Sequence, residues 1–318
     1  MKPIGKITRD DYCTHSLVPY LFDKGHFKSK QEVLNDCIRA RHGESIRTPQ
    51  TLRQRTGDVL EKPLIQECMK RLGIDKYEDR ITKKVVHPML PLEGSLDGMA
   101  YPIKLIIKED KENGIYTLNS SEVYLSGVTP IEVKCTSTYP EDIPPDWLGV
   151  LQLKAAMATT QASAGILIIL YQSTDLRIYV IPKDYEFEKE LADKVIDFNR
   201  RIDEEDYYTP QVTNDAHIKY PNANDETKIL SEETSELLKQ HEQTKEMIAS
   251  LKEVNEKIQA HIMDEMGNAS TGRTGEWIVQ WKMRKYKAQP EKIVPPKDAY
   301  EIRSKTLTIK KVESKWMY

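Results

Sequence analysis

The chain has 318 residues, of which 39% are hydrophobic and 31% are charged, and its formal net charge is −3. This length suffices for one large domain or two modest ones, and the composition is that of a soluble globular protein. The longest apolar run, residues 165–171, is much shorter than the roughly 20 residues of a membrane span, and the first residues contain no hydrophobic secretion signal. We therefore expect a cytoplasmic protein, in which any surface for a polyanionic partner is a local patch of basic residues.

The first predicted helix runs from Thr48 to Gly73. Thr48 is a candidate N-cap, Pro49 suits the first turn, and Gly73 suits the C-terminal end. Pro63 lies inside this segment and lacks a backbone N–H group, so it is expected to bend the helix or to divide it in two.

Strands and helices then alternate along the chain. Apolar runs predict strands at 84–89, 94–100, 131–135, 165–171 and 176–182, and an added hairpin formed by 103–108 and 114–118. Further helices are predicted at about 147–160 and at 184–204. The run 165–171 is apolar enough for a central strand. This order of elements predicts a mixed α/β domain.

The last third of the chain has a different character. Residues 205–228 are polar and contain prolines, which is typical of a connector, and residues 230–266 predict a long helix. Apolar residues recur every seven positions in this helix, but Thr244 and Asn255 interrupt the seam. This interruption favours packing on the main body over a free coiled coil.

A glycine-rich break follows the long helix, and residues 276–283 and 307–312 predict a closing pair of strands. We therefore predict a core domain over residues 1–205 and an extension over residues 206–318. The extension would consist of the helix at about 230–266 and this short β pair.

The predicted strand 131–135 carries Glu132 and Lys134 on one face, because side chains alternate along a strand. By itself such a pair is more often an ordinary exposed face. Upstream, Asp97 lies next to a glycine at a predicted turn. Asp97 and Glu132 together would offer the hard oxygen ligands that Mg²⁺ or Mn²⁺ prefers. Lys134 beside them could hold an attacking water or offset charge on a phosphate.

Three other positions are weaker candidates for the same site. Glu61 lies four residues after Gly57, on the same face of the first predicted helix, and the glycine would allow close approach to the sheet. Gln152 lies on the helix after the strand 131–135 and could steady a water or a phosphate. Lys154 is a candidate phosphate contact. Each of these residues could equally be an ordinary solvated side chain.

Taken in order, these motifs resemble those of the lambda-exonuclease-like, or YqaJ-type, viral recombinase family of the PD-(D/E)xK nuclease superfamily. The family pattern is G-x-x-x-E, then S-x-D-G, then [LI]-E-[VIL]-K-C, then a helix with Q-x-Q and a nearby Met. The matching positions are Gly57 and Glu61, residues 95–98, residues 131–135, Gln152 and Met157. The resemblance covers about residues 5–205, and Lys154 departs from it where a second Gln is usual.

The resemblance implies a fold and a set of roles. The fold is a restriction-endonuclease-like mixed β-sheet flanked by helices. Asp97, Glu132 and the carbonyl of Val133 would bind one Mg²⁺ or Mn²⁺ ion, and Glu61 would help at the same or a second ion. Lys134 and Gln152 would orient the attacking water.

The resemblance also implies a binding site for the DNA end. Residues 9–16 resemble the family segment whose Arg and Ser, here Arg9 and Ser16, bind a terminal 5′-phosphate, although such short spacings recur by chance. Ser95 could join them. The implied activity is 5′→3′ digestion of one strand of linear double-stranded DNA for phage-type homologous recombination. The implied partners are a single-strand annealing protein and further copies of the chain in a ring-like homo-oligomer, in a bacterial or phage-infected cell.

Two other functions fit the same residues. A nuclease of different polarity, or a Cas4-like or restriction-type endonuclease, would use the same metal site and would differ in its need for a DNA end. A catalytically silent DNA-binding scaffold would use the helix at 230–266 as an interaction arm. The joint presence of Asp97, Glu132 and Lys134 argues against the silent scaffold.

Overall fold

The computed structural model describes residues 7–283, which form two compact units, residues 7–221 and 222–283. The helices of the described residues are α1 Val18–Leu21, α2 Lys30–Arg41, α3 Leu52–Leu72, α4 Leu151–Thr160, α5 Tyr185–Glu204, α6 Thr213–Lys219 and α7 Glu232–Met266. The strands are β1 Tyr77–Glu78, β2 Val85–Val86, β3 Glu93–Gly94, β4 Gly98–Ala100, β5 Leu105–Lys108, β6 Ile115–Thr117, β7 Glu122–Leu125, β8 Thr129–Thr136, β9 Ala164–Tyr171, β10 Asp175–Pro182, β11 Thr271–Thr274 and β12 Trp277–Gln280.

A six-stranded sheet in the order β1-β4-β8-β9-β10-β6 forms the centre of the first unit. The pairs β8/β9 and β10/β6 are parallel, and the pairs β1/β4, β4/β8 and β9/β10 are antiparallel. The predicted mixed α/β fold, with a mixed sheet flanked by helices, is confirmed. The prediction that residues 165–171 form a central strand is also confirmed, since β9 lies between β8 and β10.

Helices cover both faces of this sheet. On one face, Ile65 and Met69 of α3 pack with Ile131 and Val133 of β8. On the other face, residues of α4 pack on β9, and α1, α2 and α5 form a further apolar cluster with α4. Because side chains alternate along β8, Glu132 and Lys134 face away from α3.

The helix α3 begins later than predicted. Its N-cap is Thr51 instead of Thr48, because Thr51 and Gln54 satisfy each other: Gln54 N–H donates to Thr51 Oγ1 at 3.3 Å, and Thr51 N–H donates to Gln54 Oε1 at 2.8 Å. The predicted C-terminal glycine, Gly73, is confirmed and adopts a left-handed backbone. Of the two outcomes predicted at Pro63, the division is wrong, since one helix continues through Pro63, which lies on an exposed face. The bend stays a prediction.

The predicted hairpin of 103–108 and 114–118 is also wrong. The strand β5 pairs instead with β7, whereas β6 joins the edge of the main sheet in parallel to β10. The reason is burial: all three residues of β6 are buried, while β7 alternates between exposed and buried residues as a two-stranded ribbon requires.

The predicted helix at 147–160 is divided. Residues Asp146–Val150 form an irregular turn, with non-helical backbone at Leu148 and Gly149, and regular helix begins at Leu151. Residues 205–228 are not a bare connector, because they include α6, and Asp215 is buried. The first compact unit accordingly continues past residue 205 to Pro221.

The second unit contains α7 and a β pair. The long helix predicted at 230–266 is confirmed, and none of its residues is buried. Its packing on the main body stays a prediction. The strand β12, within the predicted strand 276–283, pairs with β11. Its predicted partner, the segment 307–312, lies outside the described residues. No helix within residues 7–283 is long and apolar enough to cross a membrane.

Candidate active site

Strand pairing brings Asp97 to Glu132. In the antiparallel register of β4 and β8, Gly98 pairs with Ile131, so one further step places Asp97 opposite Glu132. The bond that fixes this arrangement is a donation from Val133 N–H to Asp97 Oδ2 at 2.8 Å. Gly98 has a reason to be glycine, because a Cβ there would lie 2.9 Å from the carbonyl oxygen of Glu78 on β1. The close packing of strands β4 and β1 therefore accounts for Gly98 in the motif 95–98, independently of any catalytic role of the motif.

Lys134 lies in the same cluster as Glu132. Its Nζ atom donates to Glu132 Oε1 and, at 3.1 Å, to Gln152 Oε1 on α4. The Glu132 side chain is only 2% exposed, whereas that of its ion-pair partner Lys134 is 29% exposed, so the pair extends from the interior to the surface. The structure thus brings together three of the predicted site residues, Glu132, Lys134 and Gln152, in direct contact.

Gly149 is a residue that the sequence did not reveal as part of the site. Its φ is +96°, and a Cβ there would lie 3.2 Å from Lys134 Cγ and 2.7 Å from Leu167 Cδ1. A non-glycine residue would therefore be strained and would push against the aliphatic stem of Lys134. The only sequence signal was the glycine itself, inside a segment that otherwise predicts helix.

The site concentrates acidic groups. Burial and the neighbouring Asp97 carboxyl raise the pKa of Glu132 to about 8, although Lys134 acts in the opposite direction. Burial raises the pKa of Asp97 as well. Burial and the carboxyls of Asp97 and Asp58 raise the pKa of Glu61 to about 8. Burial alone would lower the pKa of Lys134, but Glu132 and Asp97 raise it above its usual value. The positive charge of Lys134 thus relieves only part of the repulsion among these carboxyl groups.

These groups fit a hard divalent cation. Carboxylate oxygens are the ligands that Mg²⁺ and Mn²⁺ prefer, and a dication would relieve the repulsion between Asp97 and Glu132. The N–H and C=O groups of a strand residue point to the same side, so the Val133 carbonyl faces the edge where Asp97 lies. Within residues 7–283 no three His, Cys, Asp or Glu side chains enclose a metal-sized position. A metal held here would therefore use two carboxylates, the carbonyl and water, which suits Mg²⁺.

The predicted role of Gly57 is wrong. A Cβ at this position would meet nothing within 4 Å, so Gly57 does not permit a close approach of α3 to the sheet. Glu61, one turn later, is half-buried and close enough to Asp97 and Glu132 for their charges to affect its pKa. The structure therefore supports Glu61 as a member of the acidic cluster without the help of Gly57.

Arg9 is already paired. Its guanidinium donates to both carboxylate oxygens of Asp11, at 2.9 and 2.8 Å, and it lies on an exposed part of the surface. Its backbone N–H donates to Glu93 Oε1 at 2.7 Å. The guanidinium would have to leave Asp11, or share it, to bind a phosphate.

Ser16 and Ser95 lie on neighbouring segments. Thr14 forms a parallel bridge with Glu93, which aligns the segment that precedes Ser16 with the segment that precedes Ser95. Ser16 Oγ lies 3.0 Å from Thr14 Oγ1, and both serines are exposed. The 5′-phosphate pocket therefore stays a prediction, but its two hydroxyl groups have a common scaffold close to Asp97.

His15 is the residue that holds this scaffold together. Its ring packs so closely on Gly94 that a Cβ there would lie 1.9 Å from Nδ1, and its Nε2 is 2.9 Å from Thr159 Oγ1 on α4. Burial lowers the pKa of His15 to about 3, so the ring is neutral. Sequence inspection missed His15 because a single buried histidine has no spacing signature.

Lys154 has a structural partner. Its Nζ donates to Asp184 Oδ2 at 2.7 Å, and only 15% of the lysine side chain is exposed. Asp184 is also the N-cap of α5, where Oδ1 accepts from Phe187 N–H at 3.0 Å. The ion pair therefore ties α4 to the start of α5, and a phosphate contact by Lys154 would have to compete with it.

Two solved structures of the alkaline exonuclease LHK-Exo from Laribacter hongkongensis are similar to this chain. The structure in complex with dAMP has 16% sequence identity and a TM-score of 0.46, and a second has 16% and 0.44; each comparison covers 62% of this chain and 90% of the other. A structure of SSO0001 has 14% identity and a TM-score of 0.31, over 67% of this chain and 81% of the other. No family model and no curated protein matches the chain.

Proposed function

We propose that this chain is a metal-dependent deoxyribonuclease of the PD-(D/E)xK type. The observation that carries the proposal is the cluster in which Asp97, just before β4, lies beside Glu132 and Lys134 of the neighbouring strand β8 and Gln152 of α4. A purely structural ion pair needs one carboxylate for one lysine. Here a second and a third carboxyl share the same lysine, at a cost in like-charge repulsion that a bound dication would remove.

Phosphodiester hydrolysis needs an oriented water and a stabilised pentacoordinate phosphate. Asp97, Glu132 and the Val133 carbonyl would hold Mg²⁺ or Mn²⁺, and the chemistry that such an ion would supply is Lewis-acid stabilisation of charge on the phosphate. Lys134 Nζ, held by Gln152 Oε1, orients the attacking water, and its positive charge stabilises the developing charge on phosphate oxygens. Glu61 contributes a further carboxylate to the same region.

Within this class we propose a 5′→3′ exonuclease that acts on linear double-stranded DNA and exposes single strand for homologous recombination. The support is the order of the motifs in the sequence, together with the shared scaffold of Ser16 and Ser95 beside Asp97. On the same motif resemblance we propose a ring-like homo-oligomer, a single-strand annealing protein as partner, and a cytoplasmic location in a bacterial or phage-infected cell.

The test uses linear duplex labelled at the 5′ or the 3′ end and a covalently closed circle of the same sequence, each with Mg²⁺ and with EDTA. The expected result is Mg²⁺-dependent shortening of linear DNA from its 5′ ends, with the circle intact. Glu132→Gln should abolish it, and Glu122→Gln, which changes an exposed strand carboxylate outside the site, should not.

The other outcomes identify the alternatives. Cutting of the closed circle would indicate a Cas4-like or restriction-type endonuclease. Release of label first from the 3′ end would reverse the proposed polarity. Binding of DNA without cleavage in Mg²⁺ or Mn²⁺ would indicate a catalytically silent scaffold.

A further inference from the structure

Three aromatic rings cluster on the surface of the first unit. His26 and Phe27 lie in the loop between α1 and α2, and Trp147 lies in the turn before α4. The rings of His26 and Trp147 are stacked, with centroids 4.4 Å apart and an interplanar angle of 14°. The Phe27 ring is nearly perpendicular to both, at 4.9 Å from His26 and 6.2 Å from Trp147. We call these three residues the ring cluster.

Phe27 is unusual among the phenylalanines of the chain. Of the four, Phe22, Phe187 and Phe198 belong to the apolar cluster formed by α1, α2, α4 and α5, whereas Phe27 is 79% exposed. An exposed phenylalanine forgoes the hydrophobic stabilisation that burial would give. Phe27 therefore presents an apolar ring to solvent beside two further rings.

The loop that carries Phe27 is held in place. Gly25 lies so close to the ring of Tyr20 that a Cβ would be 1.9 Å from Cδ1, which only glycine permits. At the other end of the loop, Ser29 and Glu32 form a reciprocal capping box at the start of α2. The ring cluster is therefore supported on both sides and needs little reordering to bind.

The turn that carries Trp147 also contacts the catalytic lysine. Gly149, two residues after Trp147, packs on the stem of Lys134. Trp147 itself packs on an apolar cluster that includes Leu167 and Ile169 of β9, which pair in register with Glu132 and Lys134. The ring cluster and the acidic cluster thus share one face of the sheet and one connecting turn.

We propose that the ring cluster is a stacking platform for an unpaired base of the DNA strand next to the cleaved bond. This inference rests on the proposed nuclease function and specifies how the site holds its substrate. Stacking on aromatic rings tolerates any base, because every base has a π face. An enzyme that shortens duplex DNA must separate the terminal base from its complement, and stacking on Phe27 would compensate for part of that cost.

Binding is best measured where DNA is not consumed, in a Lys134→Ala background with Mg²⁺ present. The probes are a duplex with a short unpaired tail that contains 2-aminopurine, whose fluorescence falls on stacking, and the matching blunt duplex. The key variants are Phe27→Ala, Phe27→Leu and Phe27→Trp. Tyr185→Ala is the matched control, because Tyr185 is an aromatic residue of similar exposure, 73% against 79% for Phe27, that lies outside the ring cluster.

We expect Phe27→Ala to weaken binding of the tailed duplex about tenfold, in keeping with the loss of one base–aromatic stack, and to remove the quenching. Phe27→Trp should retain both, Phe27→Leu should behave like Phe27→Ala, and Tyr185→Ala should behave like its parent. The blunt duplex should lose less affinity than the tailed one.

The platform would be overturned if Phe27→Ala bound the tailed duplex as tightly as its parent or retained the quenching. Equal behaviour of Phe27→Leu and Phe27→Trp would also overturn it, because any apolar side chain would then serve. Cleavage by the parent chain is scored separately. If the parent chain cleaves DNA but the Phe27 variants quench 2-aminopurine as their parent does, only the stacking platform is rejected. If quenching depends on Phe27 but the parent chain cleaves no DNA, only the nuclease function is rejected. Absence of DNA binding in every form rejects both.

Discussion

Two groups of residues that the sequence assigned to one enzyme site differ sharply in the structure. Lys134 donates a hydrogen bond to Glu132, and Asp97 accepts one from the backbone N–H of Val133, which lies between them on an interior strand of the main sheet. Arg9 and Ser16, assigned to a phosphate pocket, lie on the surface, and Arg9 is bound to Asp11. Strand pairing assembles the first group without a ligand, whereas the second would be completed by the substrate. The two groups should therefore respond differently to mutation.

The largest effect is expected at Lys134. Lys134→Ala should reduce the rate of DNA digestion by about 10²–10³-fold, the typical cost of losing one stabilising contact in the transition state. Duplex binding should change little, since the proposed role of the lysine is to act on the attacking water and the transition state. Single-turnover digestion and a binding titration measure the two quantities. A parallel loss of folding or DNA binding would make Lys134 a structural residue.

The contrast between the groups also explains what could be predicted from sequence. The alternation of Glu132 and Lys134 is local, and a period of two residues was enough to place both on one face. That Asp97 lies opposite Glu132 depends on pairing between distant strands, which the motif order suggested and the register of β4 and β8 provides. Gly149 gave no comparable signal, because its importance arises from contact with Lys134.

The errors in the fold have the same origin. The strand β6 looked like half of a local hairpin, but its three buried residues are accommodated only at the edge of the main sheet. The N-cap of α3 is Thr51 instead of the predicted Thr48. Thr51 is followed three residues later by Gln54, and the side chain of each residue accepts a hydrogen bond from the backbone N–H of the other. Local patterns identified the elements, and distant contacts decided their ends and their neighbours.

A smaller effect is expected at the surface group. If Arg9, Ser16 and Ser95 bind a terminal phosphate, a 5′-phosphorylated duplex should be digested about tenfold faster than a 5′-hydroxyl duplex, since a charged hydrogen bond contributes about 1.5–3 kcal/mol. Arg9→Ala should remove most of this preference without changing the Mg²⁺ requirement. Initial rates on the two substrates are the measurement. Equal rates with the parent chain would rule out the pocket.

The acidic cluster should also make the stability of the protein depend on pH. The pKa of Glu132 is about 8 in the folded chain, against about 4.3 in an unfolded one. The folded state therefore binds more protons between these values, and its stabilisation, complete below about pH 4, is lost as the pH rises through about 8.

In metal-free buffer, the free energy of unfolding should consequently fall as the pH is raised from about 5 to about 8.5. Glu132→Gln should make this fall shallower, and Mg²⁺ should stabilise the parent chain most at the higher pH. Denaturant titrations at several pH values measure both. A fall of the same steepness in Glu132→Gln would show that other groups cause it.

The smallest effect is expected at Gly57. Gly57→Ala should stabilise the protein by about 0.5–1 kcal/mol, because alanine has the higher helix propensity and its Cβ meets nothing within 4 Å. Chemical unfolding measures the change. A loss of stability would mean that the space beside Gly57 is not open in solution. A gain of stability accompanied by a loss of digestion would indicate that DNA approaches α3 at this position.

The central claim is that the Asp97–Glu132 pair holds a divalent cation for DNA hydrolysis. The most direct test is a Mg²⁺ titration of digestion rate on linear duplex, carried out with the parent chain, Glu132→Gln and the exposed control Glu122→Gln. The parent and the control should be inactive in EDTA and should rise to the same saturating rate with Mg²⁺, while Glu132→Gln should remain inactive at every concentration. Digestion by the parent chain in EDTA, or full activity of Glu132→Gln, would contradict the claim.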